Sequence, residues 1–288
     1  MNPLQFLTDA HVAIVAGKGG VGKTTVTAVL ARAAADQGLR VLVVELDGKP
    51  TLGSLVGDDV ECLALTPPAA LAEYLDTHGL GRVAKRLATS GVIEVVATAA
   101  PGIDDIVVLG KIKQLEQSKK YDLIIVDGPA AGHAITFLMA PANLLKLVRG
   151  GPIRSQAADV AQLLADPARS QVILVTLPET TPVNEVIETA NALTGDAGLR
   201  LGPVVVNGYD EGDDLPSDAA PAGSTLRAAA EFRNARRGLH RREAARLAET
   251  LQLDQVRLPL LASSTLDQVS IVALAAGLAV APCPSWKP

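Results

Sequence analysis

The residues best suited to chemistry form a glycine-rich run between a short apolar segment and a predicted helix. This run, Gly17–Thr24, fits the pattern GxxxxGK[ST]. In this pattern glycines let backbone N–H groups turn toward phosphate oxygens, Lys23 adds a positive charge, and the Thr24 hydroxyl is a ligand for Mg²⁺. The sequence therefore predicts a nucleotide phosphate site. The residues predicted to surround the phosphates are Gly17, Gly19, Gly20, Val21, Gly22, Lys23, Thr24 and Thr25.

Two carboxylates follow apolar runs that are predicted to be buried strands. Asp47 comes after the run Val41–Leu46, and Asp127 comes after the run Leu123–Val126. The carboxyl ends of parallel strands share one edge of a sheet, and ligands bind at that edge. Asp127 is therefore predicted to hold Mg²⁺, and Asp47 to orient or deprotonate the attacking water. Glu45 is an alternative to Asp47, and an acid that only caps a turn is the structural alternative for either aspartate.

The residues after Asp127 are predicted to form a switch that senses the γ-phosphate. The segment reads DGPAAGH and places a histidine six residues after the metal-binding acid. The alternative for His133 is a purely structural role, because a single histidine carries little information. The predicted switch residues are Gly128, Pro129, Gly132 and His133.

Strand-like and helix-like segments alternate along the chain, and the strands are apolar throughout. This pattern predicts an α/β fold with a doubly wound, mostly parallel sheet and helices on both faces, in a single domain covering residues 1–288. The predicted strands are Val12–Val15, Val41–Leu46, Val92–Ala97, Leu123–Val126, Val172–Leu177 and Val204–Val206. The predicted helices are Thr24–Gln37, Leu71–Ala88, Ile103–Gln117, Ala142–Arg149, Gln156–Leu164, Asn184–Leu193 and Thr225–Leu251, the last as one helix or as two broken near Gly238.

Composition excludes several classes of protein. With 26 basic and 31 acidic side chains and only 2% aromatic residues, the 288-residue chain does not suit a general nucleic-acid binder. Two isolated cysteines predict no zinc site and a reducing cytoplasm. The longest apolar run, Ile271–Pro282, is too short to cross a bilayer and is predicted to be a buried helix. The residues after it show no amphipathic pattern, so no stable membrane anchor is expected.

Residues 209–224 are acidic and rich in Gly and Pro, which predicts a flexible surface loop. The helix after this loop carries Arg233, Arg237 and Arg241 at four-residue spacing. The favoured interpretation is a solvated helix face, and the alternative is a surface that contacts an anion or DNA.

The loop and its surroundings resemble a known group of ATPases. The sequence from Lys18 to Thr25, KGGVGKTT, resembles the deviant Walker A loop of the MinD, ParA, nitrogenase-iron-protein and ArsA families. Together with Asp127–His133, residues 110–113 (GKIK) and Gly150–Pro152, it makes nearly the whole chain similar to the ArsA family, especially to actinobacterial ArsA-like proteins. The resemblance implies that Lys18 reaches across a dimer to the partner's phosphates; a solvated loop lysine is the alternative.

Two more matches concern the base. Asn207, which ends an apolar run, is similar to the family's adenine-recognising residue, and Pro259 and Leu260 look like its late loop over the ring, so ATP is implied as the nucleotide. The chain departs from the family at Ala130 and Ala131, where a Pro-Thr pair is usual, and this leaves the hydroxyl contact of the second switch in question.

The resemblance implies a Mg²⁺-dependent ATPase that works as a nucleotide-switched homodimer, or as a heterodimer with a paralogue, and acts on a protein client. The alternatives are a poorly hydrolysing regulatory subunit and a ParA-like positioning ATPase that binds DNA. A helical subdomain is expected at about residues 140–165. Its Leu144, Leu145, Leu147 and Val148 suggest either a core-facing stripe, which is favoured, or a small client groove.

Overall fold

The computed structural model describes residues 4–46, 51–77, 102–195, 198–216, 221, 223–261 and 265–280. In this part of the chain a single sheet of seven parallel strands has the order β3-β2-β4-β1-β5-β6-β7. The strands are β1 (Val12–Gly17), β2 (Val41–Glu45), β3 (Glu61–Ala64), β4 (Leu123–Ala130), β5 (Ser170–Thr176), β6 (Val204–Tyr209) and β7 (Gln255–Pro259).

Helices cover both faces of the sheet, which confirms the predicted doubly wound α/β architecture. A short 3₁₀ helix, Gln5–Leu7, precedes β1. The α-helices are α1 (Lys23–Asp36), α2 (Gly53–Val56), α3 (Pro67–Thr77), α4 (Ile103–Gln117), α5 (Ala131–Leu147), α6 (Pro152–Ala165), α7 (Thr180–Gly195), α8 (Thr225–Leu251) and α9 (Gln268–Val280). Helices α1, α2 and α9 pack on one face, and α3 to α8 pack on the other.

The central strands are apolar at every position because both of their faces are buried. In β1, Val12 and Ile14 face the core under α4 to α8, whereas Ala13 and Val15 face the core under α1 and α9. Successive side chains of a strand point to opposite faces, so a strand buried on both sides needs a continuous apolar run. The chain therefore positions β1, and the loop after it, in the middle of the sheet.

The two edge strands, β3 and β7, were not predicted. Their sequences, ECLA and QVRLP, mix polar and apolar residues because an edge strand has one side open to solvent. The prediction that Pro259 belongs to a loop is wrong, since Pro259 is the last residue of β7. Proline is compatible with an edge strand, where its missing N–H costs no ladder hydrogen bond.

Strand β4 is longer than predicted and leads directly into α5. The strand was predicted to end in Asp127, but Asp127 pairs with Val15 inside the ladder, and the strand continues to Ala130. Helix α5 then begins at Ala131 instead of Ala142. It contains Pro141, whose ring removes one helical hydrogen bond and obscures the helical pattern on its N-terminal side. The predicted strand Val92–Ala97, and the predicted helix Leu71–Ala88 beyond Thr77, lie outside the described residues.

The apolar residues of the α5–α6 region mostly face a small core. Leu144, Leu145 and Val148 pack in one cluster with Ile106 of α4, as the favoured interpretation predicted. Leu147 differs, because 78% of its surface is exposed. Of the four side chains that suggested a groove, only this leucine is therefore openly available.

The predicted C-terminal helix α9 is present, but only one of its faces is buried. Ile271 and Leu274 pack against the sheet side, whereas Val269 and Val272 are exposed. An uninterrupted apolar sequence has no polar face that could mark which side meets solvent.

The arginines of α8 are paired with the acidic segment that follows β6. Arg233 donates two hydrogen bonds of 3.0 Å to Asp210, and Arg237 and Arg241 contact Asp214. Burial acts to raise the pKa of the Asp210 carboxyl. Hydrogen bonds from Arg233 outweigh this effect and hold the pKa of Asp210 below its ordinary value. The interpretation of a solvated face is wrong for Arg237, which is buried, and α8 is continuous through Gly238.

One glycine of β4 is expected to be essential for stability. A Cβ at Gly128 would lie 2.4 Å from the carbonyl oxygen of Val15. Backbone cannot move aside as a flexible side chain can, so Gly128→Ala should lower the free energy of unfolding by about 2 to 3 kcal/mol. Urea unfolding followed by circular dichroism measures this change. Gly132→Ala is the control, since a Cβ there meets open space, and equal stabilities of the two variants would contradict the prediction.

Candidate functional site

The glycine-rich loop connects the buried end of β1 to the first turn of α1. Gly17 packs so closely on β5 that a Cβ would lie 2.4 Å from the carbonyl oxygen of Val175. Gly20 and Gly22 have φ values of +85° and +87°, a left-handed conformation that favours glycine. No side chain caps α1 at Gly22, so the N–H groups of its first turn are directed at the loop. This geometry forms an anion-binding cradle at the centre of the sheet edge.

A hydroxyl and a carboxylate predicted to bind Mg²⁺ are brought together beside the loop. Thr24 Oγ1 donates a 2.8 Å hydrogen bond to Asp127 Oδ2, although the two residues are far apart in the chain. The other carboxylate oxygen, Oδ1, accepts a 3.3 Å hydrogen bond from the buried hydroxyl of Thr27. Sequence reasoning missed Thr27. Its position one helical turn after Thr24, on the same face of α1, was the available signal.

Both lysines of the loop have side-chain contacts, one within the loop and one with α7. Lys23 Nζ donates to the carbonyl oxygen of Lys18 at 3.3 Å. Lys18 Nζ forms an ion pair with Glu185 Oε1 of α7. No sequence signal indicated Glu185, because it lies 167 residues from Lys18.

Glu45 organises the chain on the other side of Asp127. The two residues are register neighbours on β2 and β4, and Glu45 is buried. Its Oε1 accepts hydrogen bonds of 2.9 Å from the N–H groups of Thr51 and Leu52. Glu45 therefore ties together the two ends of the segment that contains Asp47. Asp47 itself lies outside the described residues, so its role as the water-orienting acid stays a prediction.

Asn207 contacts the loop directly. Its Nδ2 donates a 2.9 Å hydrogen bond to the carbonyl oxygen of Val21, and a Cβ at Gly22 would overlap the amide group. A β-bulge and a positive φ at Gly208 interrupt the pairing of β6 and β7 at this point, which redirects the asparagine side chain. Asn207 thus helps to fix the phosphate loop. Its role in adenine recognition remains a prediction.

The residues predicted to cover the base lie on the same edge as Asn207. Tyr209 of β6 pairs with Pro259 of β7, and Leu260 N–H donates a 3.0 Å hydrogen bond to the Tyr209 carbonyl oxygen. The Leu260 side chain is partly exposed. Asn207, Pro259 and Leu260 therefore meet at the carboxyl ends of two adjacent strands.

The predicted switch residues divide between two elements. Gly128 and Pro129 belong to β4, whereas Gly132 and His133 lie in the exposed first turn of α5. Burial raises the pKa of the Asp105 carboxyl on α4, and the nearby His133 opposes that shift. His133 thus has an acidic neighbour on α4, and its contact with a γ-phosphate remains a prediction.

Comparison with known proteins agrees with this geometry. The family model described as the CobQ/CobB/MinD/ParA nucleotide binding domain matches residues 12–219, which include the phosphate loop, Asp127 and Asn207. The chain belongs to this family. It is a nucleotide-binding ATPase of the MinD, ParA and ArsA kind.

The relatives include actinobacterial and arsenical-pump ATPases. ATPase BagA of Mycobacterium tuberculosis is 34% identical over 240 residues, which cover 75% of this chain and 70% of BagA. The arsenical pump-driving ATPase of Acidiphilium multivorum is 25% identical over 244 residues, which cover 72% of this chain and 40% of that protein. The resemblance to ArsA-like actinobacterial proteins is therefore confirmed.

Among the described residues, no group of three or more His, Cys, Asp and Glu side chains is arranged to hold a metal ion. Where the structure describes the chain, none of its helices combines the length and apolarity needed to cross a membrane.

Proposed function

We propose that this chain hydrolyses ATP with Mg²⁺ as a nucleotide-switched dimer in which each Lys18 completes the site of the partner copy. The observation that carries the proposal is the contact between Thr24 and Asp127 beside Lys23 and the glycine-rich cradle. The Thr24 hydroxyl, the Asp127 carboxylate and the Lys23 ammonium group therefore lie at the N-terminal end of α1, and a helix N-terminus attracts anions.

The residues present fit a nucleotide and a magnesium ion. Hard oxygen ligands, such as the Thr24 hydroxyl and the Asp127 carboxylate, suit Mg²⁺, and loop N–H groups suit phosphate oxygens. When bound, Mg²⁺ neutralises negative charge on the β- and γ-phosphates. Asp127 is largely buried and held by two hydroxyls, so its carboxylate is fixed in place before any ligand arrives.

Each charged residue then has a defined task in in-line attack by water. Lys23 stabilises negative charge on the phosphates of its own site, and Lys18 does so from the partner copy. Glu45 anchors the segment that carries Asp47, whose proposed task is to orient the attacking water. Because the reaction develops charge on oxygen atoms, positive groups held beside those atoms in the closed dimer accelerate it.

We propose that closure of the dimer changes the binding or position of a protein client in the cytoplasm. Leu147, at the end of α5, is the most exposed large apolar side chain in the part of the chain that the structure describes, and is proposed for that contact. A regulatory subunit that binds ATP and hydrolyses it poorly without a paralogue is a second candidate, favoured by Ala130 and Ala131 in the switch sequence. DNA binding through α8 is less favoured, since Arg233, Arg237 and Arg241 are paired with aspartates.

A concentration series tests the dimer. We expect the steady-state Mg²⁺-ATPase rate per protomer to rise with protein concentration and then to reach a plateau, because the site is complete only after two copies meet. A rate per protomer that is constant over a thousandfold range would exclude completion across a weak dimer. ATP binding without turnover at any concentration would favour the regulatory subunit.

A further inference from the structure

The ion pair between Lys18 and Glu185 joins the phosphate loop to α7 within one chain. Lys18 lies just after β1, and Glu185 lies in the second turn of α7, at the carboxyl end of the adjacent strand β5. The side chains are 44% and 32% exposed, so the contact lies at the surface where the phosphate loop begins. The lysine predicted to act on a partner copy is therefore held by its own subunit.

The Glu185 carboxylate depends on this lysine. Its Oε1 contacts Lys18, while its Oε2 is buried and has no hydrogen-bond partner among the described residues. A buried carboxylate oxygen loses hydration that a single ammonium group compensates only in part. Separating Lys18 from Glu185 therefore costs free energy. This cost disfavours every conformation in which Lys18 has left Glu185.

The loop around Lys18 is built so that the lysine can change position. A Cβ placed at Gly19 or Gly20 would meet no atom within 4 Å, so this part of the loop projects into open space. Val21, directly after it, is buried and its carbonyl oxygen is held by Asn207. Lys18 thus sits on a short glycine hinge attached to a fixed residue.

A second contact connects this hinge to phosphate binding. Lys23 donates to the carbonyl oxygen of Lys18, and the same ammonium group is the one expected to bind phosphate. An ammonium group has three N–H donors, so Lys23 can contact a phosphate and the Lys18 carbonyl oxygen together. A bound phosphate would therefore share its lysine with the backbone of the segment that carries Lys18.

We propose that Glu185 is a positioning residue that restrains Lys18 within its own subunit and so sets the protein concentration at which the dimer closes. The proposal rests on the dimeric function proposed above, in which Lys18 leaves Glu185 to reach the phosphates of a partner copy. Release of Lys18 from Glu185 is then a required step of closure. A partly exposed ion pair shifts such an equilibrium by about two- to fivefold.

Glu185→Gln in the full-length chain tests the restraint, because it removes the charge and keeps the size. We expect the concentration that gives half-maximal ATPase activity to fall about four- to 25-fold, because closure releases one such ion pair in each subunit and the two effects multiply, with an unchanged maximal rate since Lys18 is intact. Glu188→Gln, on the exposed side of the same helix, should change neither value. In a Lys18→Ala background, where hydrolysis is too slow to serve as the readout, Glu185→Gln should leave unchanged the concentration for half-maximal ATP-dependent dimerisation, measured by analytical ultracentrifugation. A shift there, an increased concentration or a lower maximal rate would overturn the proposal.

A measurement that needs no dimer separates this proposal from the dimeric function. Reductive methylation of dilute protein, followed by mass spectrometry, reports how readily the Lys18 amine reacts, with the exposed Lys146 as the internal standard. We expect Glu185→Gln to increase Lys18 labelling about two- to fivefold. Unchanged labelling overturns the restraint even if the ATPase rate depends on concentration. Increased labelling with an ATPase rate that is independent of concentration overturns the dimeric function, and the proposed role of Glu185 in closure with it.

Discussion

Lys23→Ala is expected to reduce the ATPase rate by about 10² to 10³-fold, because it removes one fixed positive group from the developing charge of the reaction. Lys23 follows Gly22 directly and lies in the first turn of α1, where its ammonium group donates a hydrogen bond to the Lys18 carbonyl oxygen. Nucleotide affinity should fall as well, since the same charge attracts the phosphates of bound ATP. Steady-state hydrolysis and equilibrium binding of a fluorescent ATP analogue measure the two effects separately.

Lys120→Ala is the matched control for this variant. Lys120 is an exposed lysine that pairs with Glu61 on the edge strand β3, away from the phosphate loop. It should leave both the rate and the affinity unchanged. A Lys23→Ala protein that keeps more than one tenth of the wild-type rate, with an unchanged unfolding curve, would show that hydrolysis occurs elsewhere.

Lys18→Ala should lower the maximal ATPase rate by about 10³-fold or more, the effect expected of a positive group supplied in trans to a transferring phosphoryl group. Nucleotide affinity of the isolated protomer should change little, because the proposed target of Lys18 lies in the partner copy. Stability should change little too, since the Lys18 ion pair is partly exposed. Hydrolysis, binding and urea unfolding of the same preparation test the three expectations.

Mixing two inactive variants decides whether Lys18 acts across the dimer. In a mixed dimer of Lys18→Ala and Lys23→Ala, one site has an intact Lys23 and receives an intact Lys18 from the other subunit. Random mixing makes half of the dimers mixed, so about one quarter of the wild-type rate should return. If Lys18 acts within its own subunit, mixing restores nothing, and the trans role is wrong.

The sequence alone was sufficient for the parts of the site that are contiguous in the chain. The Gly17–Thr24 motif between an apolar strand and a helix predicted the cradle, because its glycines and its helix start depend on local backbone geometry. Continuous β-branched runs predicted the buried strands of a parallel sheet. Asp127 was predicted beside the loop because parallel strands end at one edge, and its hydrogen bond to Thr24 agrees.

The sequence-based predictions were wrong where tertiary packing, and not the local sequence pattern, determines the structure. Strands β3 and β7 have weak strand sequences and depend on one neighbour each for their backbone pairing. The apolar run of α9 could not indicate which face would be left exposed. Arg237 was expected in solvent, but the acidic segment after β6 turns back onto α8 and pairs with it.

The sequence by itself determined the fold class and the phosphate loop, and it predicted which residues bind a nucleotide and a metal ion. Only the tertiary structure decided what those residues contact: Asn207 holds Val21, Thr27 supports Asp127, and Glu185 holds Lys18. The reason is physical. Local motifs are set by backbone conformation over a few residues, whereas these contacts join residues up to 186 positions apart, and such pairings exist only after the sheet has fixed the order of its strands.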